Sequence, residues 1–390
     1  MSRNPGHHRG ALASDAARLT TLFGTADLLP LWIAEPYVEL AAPIRDALDR
    51  RAASGWYGYQ ARPPSVIDAF WEWMDRRHSW DGTGIATSVS PSVGTSIGVM
   101  IDQHTDVGDG VILQPPVFTD FKPLAVRAER TVIRNSLVLT DDGYRMDLDD
   151  LTAKASDPRT KFMIVCNPHN PIARAWTESE LRAVAEICAE HGVFVLADEI
   201  HADLVLAPSR FVPFATAASG TGVRWAATHG PIKTFGLAGV CDTLILTDDD
   251  DTADGFREAS SRFHLSRNNV FGLAAFEAAY REGAPWLDDF LSLIASNATI
   301  LASELAGGIT LAPPQATYLA WLDFRALGLD VRAVAVWLAS SGLALSPGHW
   351  FGREGGGYGR LSIGVPEDSI RTAVGLLHAA PARRSYDPTA

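Results

Sequence analysis

Lysine is nearly absent from this chain. Of the 33 basic residues in 390, four are lysines (Lys122, Lys154, Lys161 and Lys233), and arginine supplies the remaining 33 − 4 = 29. Cysteine is scarcer still. Cys166, Cys188 and Cys241 are too few and too scattered for a disulfide framework or a zinc site, which fits a reducing cytoplasm. Positive charge is in deficit, with a net charge of −13, which argues against a nucleic-acid or anionic-membrane partner. No run of about eighteen apolar residues suggests a membrane span. The opening MSRNPGHHRGALASDAARL has no apolar core of signal-peptide length, so the expected location is the cytoplasm. There is no internal repeat and no long low-complexity segment.

What is present is the composition of a globular protein, 47% apolar and 20% charged. The length exceeds one ordinary core and suggests two or three domains. Helical and extended patterns alternate. APIRDALDRRAAS and SVIDAFWEWMDRRH read as amphipathic helices, and GVILQPPV is a short strand stopped by prolines. KFMIVCNP is an apolar strand ending in a polar turn. ESELRAVAEICAEHG is a helix closed by glycine, FVLADEIH is the strand after it, and CDTLILTD is another. This rhythm predicts an α/β domain with a mostly parallel central sheet flanked by helices. Ligands of such sheets bind outside the carboxyl ends of the strands, where CNPHN and DEIH fall. From Trp286 a long helix, the strand TYLAWLDF, a helix over DVRAVAVWLASSG and the strand YGRLSIGV predict a smaller α+β domain. The expected boundaries are 45–285 for the large domain, and 1–44 with 286–390 for the small one.

In a chain so poor in lysine, the stretch THGPIKTFGLAG raises the question of why Lys233 is there. Arginine stays charged, whereas a desolvated lysine can lose its proton and become a nucleophilic amine. Three further residues complete a pattern in chain order: Asn170, Asp198 and Arg360. Each meets a need of one cofactor, pyridoxal phosphate. Its aldehyde needs a lysine amine, and its pyridinium nitrogen needs a carboxylate. Its ring oxygen needs a hydrogen-bond donor such as Asn170. A substrate carboxylate calls for a bidentate guanidinium, which Arg360 offers. Each residue alone has an ordinary structural reading; the ordered set is far more specific.

The motifs NPHNP, ADEIH, KTFGLAG and RLSIG resemble those of fold-type I pyridoxal-phosphate enzymes, the class I/II aminotransferase superfamily. LPLWIAEPY, GWYGYQ, VSPSVGTSIGVMI, PPVFTDF, DEIHADLV, EGAPWLD, QATYLAWLDFRALGLD and SPGHWFGREGGGYGRLSIGVP narrow the likeness to the MalY/PatB branch of cystathionine β-lyases and C–S lyases, over residues 25 to 378. The resemblance implies that Lys233 forms the Schiff base and then shuttles protons. Asp198 pairs with the ring nitrogen, and Asn170, with His201, contacts the ring oxygen. Phe118 stacks on the ring. Val93, Gly94 and Thr95 bind the phosphate at a helix N-terminus. Tyr59 reaches the phosphate or substrate of a neighbouring subunit, which implies a homodimer, and Trp32 lines the substrate pocket beside Arg360.

The chain departs from the family at Gly230 and Ile232, where hydroxyl residues are usual; Thr228 or His229 could take over a phosphate contact. Gly236 stands where the branch often has Asn. The implied reaction is α,β-elimination from cystathionine or another S-substituted cysteine, giving a thiol, pyruvate and ammonia. Two other outcomes stay open, an aminotransferase or other pyridoxal-phosphate chemistry on a cysteine conjugate in specialised metabolism. A regulatory protein that keeps the fold is a third, non-enzymatic reading. No metal ligands are expected.

Overall fold

The computed structural model describes residues 10–329, 331 and 333–380. Its central sheet has seven strands: β1 (Ala86–Ser90), β2 (Gly110–Leu113), β3 (Thr131–Arg134), β4 (Thr160–Cys166), β5 (Phe194–Asp198), β6 (Trp225–His229) and β7 (Thr243–Thr247). Their order is β1-β7-β6-β5-β4-β2-β3. β7 runs antiparallel to both neighbours, and the other six share one direction. Every residue of β2, β5, β6 and β7 is buried. Helices cover both faces, so these strands are apolar at successive rather than alternate positions. β6, WAATH, was not anticipated from the sequence. Its alanines and histidine have little strand preference, and its place between β5 and β7 overrides that.

The flanking helices follow from their apolar spacing. α1 (Ala42–Ala53) and α2 (Pro64–His78) lie before the sheet in the chain. α2 buries Val66, Ala69, Phe70, Trp73 and Met74, one face of a 3.6-residue repeat. α3 (Val93–His104) follows β1. α4 (Glu178–His191) begins with a capping box between Thr177 and Glu180 and ends at Gly192 in the left-handed region, φ 67°.

A second sheet has four antiparallel strands, β8 (Thr310–Leu311), β9 (Leu319–Asp323), β10 (Ser346–Pro347) and β11 (Tyr358–Ser362), in the order β8-β9-β11-β10. The helix expected over DVRAVAVWLASSG is present as Ala333–Ser340; Asp330 and Arg332 lie outside the described residues. The first nine residues, on which part of the no-leader reading rests, also lie outside them. Residues 29–37 are stitched to this sheet region. Leu29–Pro30 pairs in parallel with Leu343–Ala344, the Ser362 N–H donates to the Leu31 carbonyl at 2.9 Å, and the Tyr37 N–H donates to that of Gly364 at 2.8 Å. The glycine-rich GREGGGYG segment is packed in place. A Cβ on Gly355 would sit 2.0 Å from the Gly348 carbonyl oxygen, and Glu354 accepts from Ser136 Oγ at 2.6 Å and pairs with Arg134. Among the described residues no helix is long and apolar enough to cross a membrane.

β1, β4, β5 and β6 end at Ser90, Cys166, Asp198 and His229. Because they run in one direction, the segments after them emerge at a single edge of the sheet. Those segments carry most of the residues singled out from the sequence.

Candidate functional site

At that edge lies a cavity of about 470 Å³, lined among others by Val93, Gly94, Phe118, Asn170, Asp198, His201 and Lys233. Larger cavities of about 720 and 600 Å³ lie elsewhere and hold none of these seven. Ser92, Asp120 and Arg127 also line the site cavity and were not singled out from the sequence. Ser92 carried a signal, as the residue just before a Gly-containing helix start. Asp120 and Arg127 carried none: each is an ordinary charge near a short helix.

Lys233 follows β6 and a turn at Gly230–Pro231. Its Nζ donates to the Ala34 carbonyl at 2.8 Å. The side chain keeps some exposure because the cavity above it is open. Burial is nevertheless the main cause that lowers its pKa from 10.5 to about 8, followed by the positive charge of Arg360; Glu35, Asp198 and Asp120 oppose the shift. A substantial share of the amine is therefore neutral in mildly alkaline solution.

Asp198 ends β5. Its Oδ1 accepts from Thr228 Oγ1 at 2.9 Å and from the Ile200 N–H at 3.3 Å. Burial raises its pKa, opposed by those two bonds and by Lys233. A cation placed against it would restore the ionised form. The Thr228 bond follows from register, because Asp198 and Thr228 are cross-strand partners in adjacent strands. This corrects one expectation. Thr228 is committed to Asp198 rather than to a phosphate, and His229 Nε2 is committed to Glu199 Oε2 at 2.8 Å. The missing hydroxyl at Gly230 has a backbone cause. Its φ is 154°, and a Cβ there would lie 3.3 Å from Thr243 Cα and 3.4 Å from the Asp242 carbonyl oxygen.

Arg360 is central in β11, opposite Trp321 and Ser346. Its Nη1 donates to Asn170 Oδ1 at 3.0 Å, and its Nη2 to the Trp32 carbonyl at 2.8 Å and Ser346 Oγ at 3.2 Å. Its guanidinium carbon lies 4.9 Å from the ring centroid of Phe351. Burial lowers its pKa to about 10, so it stays charged near neutrality. Its Nε is buried without a hydrogen-bond partner. Because Asn170 Oδ1 faces Arg360, its amide nitrogen is the end free to donate into the cavity. Trp32 enters differently from expectation. Its ring does not line the cavity; it packs against Phe23 and Trp350 and donates to the Ala13 carbonyl, and its own carbonyl orients Arg360.

His201 is buried, its Nδ1 has no partner, and its ring stands edge-on to Tyr318 at 5.8 Å. Burial, reinforced by Lys233 and Arg360, holds its pKa well below the ordinary value, so it is neutral. Phe118 is half-buried and edge-on to Phe121. At the start of α3, Ser92 Oγ accepts from the Thr95 N–H at 3.1 Å. Thr95 is thus capped and does not line the cavity, whereas the N–H groups of Val93 and Gly94 belong to the first turn and have no carbonyl four residues back within the helix. Tyr59 is 87% exposed and lies outside this cavity. Among the described residues no cluster of His, Cys, Asp or Glu could hold a metal ion.

The residues present fit pyridoxal phosphate. The unpartnered Arg360 Nε, the raised Asp198 carboxyl and the first turn of α3 each lack the partner that the substrate carboxylate, the ring nitrogen and the phosphate would bring. Six strands in one direction with such a cavity at their carboxyl edge make up the pyridoxal-phosphate-dependent aminotransferase fold. Residues 34–377 match the family described as aminotransferase class I and II, and the chain belongs to that family. Cystathionine beta-lyase PatB of Bacillus subtilis (strain 168) is 35% identical over 364 residues, 92% of this chain and 94% of its own length. Protein MalY of Escherichia coli (strain K12) is 32% identical over 369 residues, 93% of this chain and 94% of its own. A chain of Clostridium difficile 630 described as an aminotransferase, solved with pyridoxal phosphate bound, superposes with a TM-score of 0.89 at 32% identity, covering 94% of this chain and 96% of that one.

Proposed function

We propose that this protein is a pyridoxal-phosphate-dependent C–S β-lyase acting on cystathionine-like or other S-substituted cysteines. The observation that carries the chemistry is a cavity lined by both Lys233, its amine pKa lowered to about 8, and Asn170, which is bonded to a buried Arg360 whose Nε lacks a partner; Arg360 itself stands behind Asn170 and does not line the cavity. The name of the Bacillus subtilis relative supports the lyase outcome, and that of the Clostridium difficile structure keeps the aminotransferase as the alternative.

Pyridoxal phosphate, when bound, supplies an electron sink for negative charge developing at the substrate Cα. Arg360 holds the α-carboxylate with its Nε edge, and Trp32, Ser346 and Asn170 keep the guanidinium from turning. Lys233 removes the Cα proton and can return it. Asp198, oriented by Thr228, holds the proton at the ring nitrogen. Asn170 and the neutral His201 would donate to the ring oxygen, and Phe118 would cover the ring face. In the net reaction water is consumed, the Cβ–S bond breaks, the sulfur leaves as a thiol, and the remaining carbons appear as pyruvate with ammonia.

At the phosphate end we assign the N–H groups of Val93 and Gly94, with Arg127 as counter-charge. Arg127 is the arginine that lines the same cavity, and the family's hydroxyl positions are empty here. Arg127→Ala is expected to weaken cofactor binding about tenfold, the scale of one charge-assisted hydrogen bond. Equilibrium dialysis of pyridoxal phosphate against the two proteins measures this, and equal affinities would remove Arg127 from the site.

We further propose a homodimer in which Tyr59 serves the neighbouring subunit's site. The support is an exposed aromatic patch: Trp56 is 54%, Tyr57 55% and Tyr59 87% exposed. The proposed large domain is 45–285, and the stitching of residues 29–37 to residues 343–364 supports grouping 1–44 with 286–390. A cytoplasmic location is consistent with three buried, unpaired cysteines.

The deciding experiment loads the protein with pyridoxal phosphate and supplies L-cystathionine and an S-alkyl cysteine, with no keto acid present. Many pyruvate molecules per site, with thiol release, are expected. Conversion of one equivalent of cofactor to its amine form without pyruvate would replace the lyase by an aminotransferase.

A further inference from the structure

The end of β5 and the turn after it place two side chains, Asp198 and His201, in the cavity. A third, Asp203, is buried on the far side of the same turn, which is closed by the Ala202 N–H to Glu199 carbonyl and Leu204 N–H to His201 carbonyl bonds, each 2.9 Å. Three donors from two other segments converge on its carboxylate. Trp73 Nε1 at 2.7 Å and His78 Nε2 at 2.8 Å, both from α2, approach Oδ1. Thr234 Oγ1 donates to Oδ2 at 2.9 Å. Thr234 is buried and is the residue immediately after Lys233.

We propose that Asp203 is a positioning residue for Lys233, acting through the Thr234 hydroxyl. The lysine is then held at two ends. Its Nζ is bonded to the Ala34 carbonyl, and its main chain is tied through Thr234 to a carboxylate clamped by α2. The chain around it is a short turn, with the Phe235 N–H bonded to the Pro231 carbonyl at 3.0 Å and the Leu237 N–H to that of Ile232 at 3.1 Å. Neither bond leaves the turn. The Thr234–Asp203 bond ties it to the rest of the molecule at the residue next to the lysine. The same carboxylate lies two residues beyond His201, so it sets the lysine and the imidazole in one frame. Burial would raise the pKa of Asp203, yet the bonds from His78, Trp73 and Thr234 hold it below the usual value, so an ionised acceptor is available to all three donors. The neighbouring buried carboxylate, Glu199, serves different partners. It accepts from Asn167 Nδ2 at 2.9 Å and the Phe214 N–H at 2.7 Å, and it pairs with His229. Those bonds brace the sheet edge, and none of them reaches the lysine turn.

This inference rests on Lys233 being the lysine that captures the cofactor. The test compares wild type with Thr234→Val, Thr234→Ser and Thr247→Val in the full chain. The readouts are the rate at which cofactor-free protein captures pyridoxal phosphate, the fraction trapped at Lys233 by borohydride, kcat and KM separately, and Tm. Thr234→Val removes the hydroxyl without changing side-chain size. It is expected to slow capture and lower kcat about tenfold, the worth of one buried hydrogen bond, with KM changed less than about twofold. Thr234→Ser is expected to restore both. Thr247→Val removes a buried hydroxyl bond elsewhere in the sheet, from Thr247 Oγ1 to the Trp225 carbonyl at 2.7 Å, so it is expected to lower Tm and leave capture unchanged. If valine prevents folding, Thr234→Ala removes the same hydroxyl with less crowding. Wild-type capture and kcat in a folded Thr234→Val or Thr234→Ala protein, or equal losses in Thr247→Val, would overturn the proposal. A wild type that traps nothing at Lys233 would overturn both this inference and the functional reading beneath it.

Discussion

Replacing Lys233 with alanine is expected to abolish turnover and borohydride trapping together. The other three lysines, Lys122, Lys154 and Lys161, do not line the cavity, so none can take over. Pyridoxal phosphate would still bind through the first turn of α3 and Arg127, more weakly and reversibly. The wild-type comparison has a definite pH dependence. The amine reacts only when neutral, and its pKa is lowered to about 8, so capture should accelerate as pH rises and level off above that value. Its stability consequence has the same origin. Between about pH 8 and 10.5 the unfolded chain holds a proton on this lysine that the folded chain has lost, so this group makes unfolding harder as pH rises through that window. Mass measurement of the trapped peptide at several pH values checks both the residue and the midpoint. A Lys233→Ala protein that still turns over substrate would remove the lysine from the mechanism.

Asp198→Asn is the second large effect. The amide nearly preserves volume and can still meet Thr228, but it cannot stabilise a proton at the ring nitrogen as a carboxylate does. The rate should fall about a hundredfold to ten-thousandfold, the range of a lost proton-holding group, with KM less affected. Thr228→Val should produce a smaller fall of the same kind, because it removes the hydroxyl that orients Oδ1. Steady-state rates with the substrate found in the pyruvate assay are the measurement. An Asp198→Asn protein near the wild-type rate would show that another acid serves the ring.

The two substitutions divide according to what each residue's environment does. In the proposed mechanism Lys233 works because burial lowers its pKa. Asp198 works because burial raises its pKa until a cation stands against it. One low-dielectric cavity thus pushes an amine and a carboxyl toward their neutral forms. The cofactor ring, cationic at one edge, would sit between them.

Much of this was legible in the residues themselves. Lys233, Asp198, Asn170 and Arg360 were marked because a scarce lysine, strand-end polar groups and a late arginine occur in one order. The α/β class was marked because KFMIVC, FVLAD and TLILT are apolar at successive positions, as strands covered on both faces must be. Several assignments needed the tertiary structure. The partner of Thr228 depends on register between β5 and β6, and a single sequence does not state register. The glycine at 230 was visible as a missing hydroxyl, but its φ and its closeness to Asp242 and Thr243 come from β7 lying alongside. Trp32 offered an indole to the sequence reader, yet the fold uses its carbonyl. Asp203 looked like one more acidic residue in DEIHADL. Trp73, His78 and Thr234 approach it from positions that are 130, 125 and 31 residues away. Side-chain chemistry and local apolar period are properties of the chain, so the sequence by itself determined the kind of cofactor and the class of fold, and it supplied the lysine proposed to capture that cofactor. Which hydroxyl meets which carboxylate depends on contacts between distant segments, and only the folded arrangement decided those.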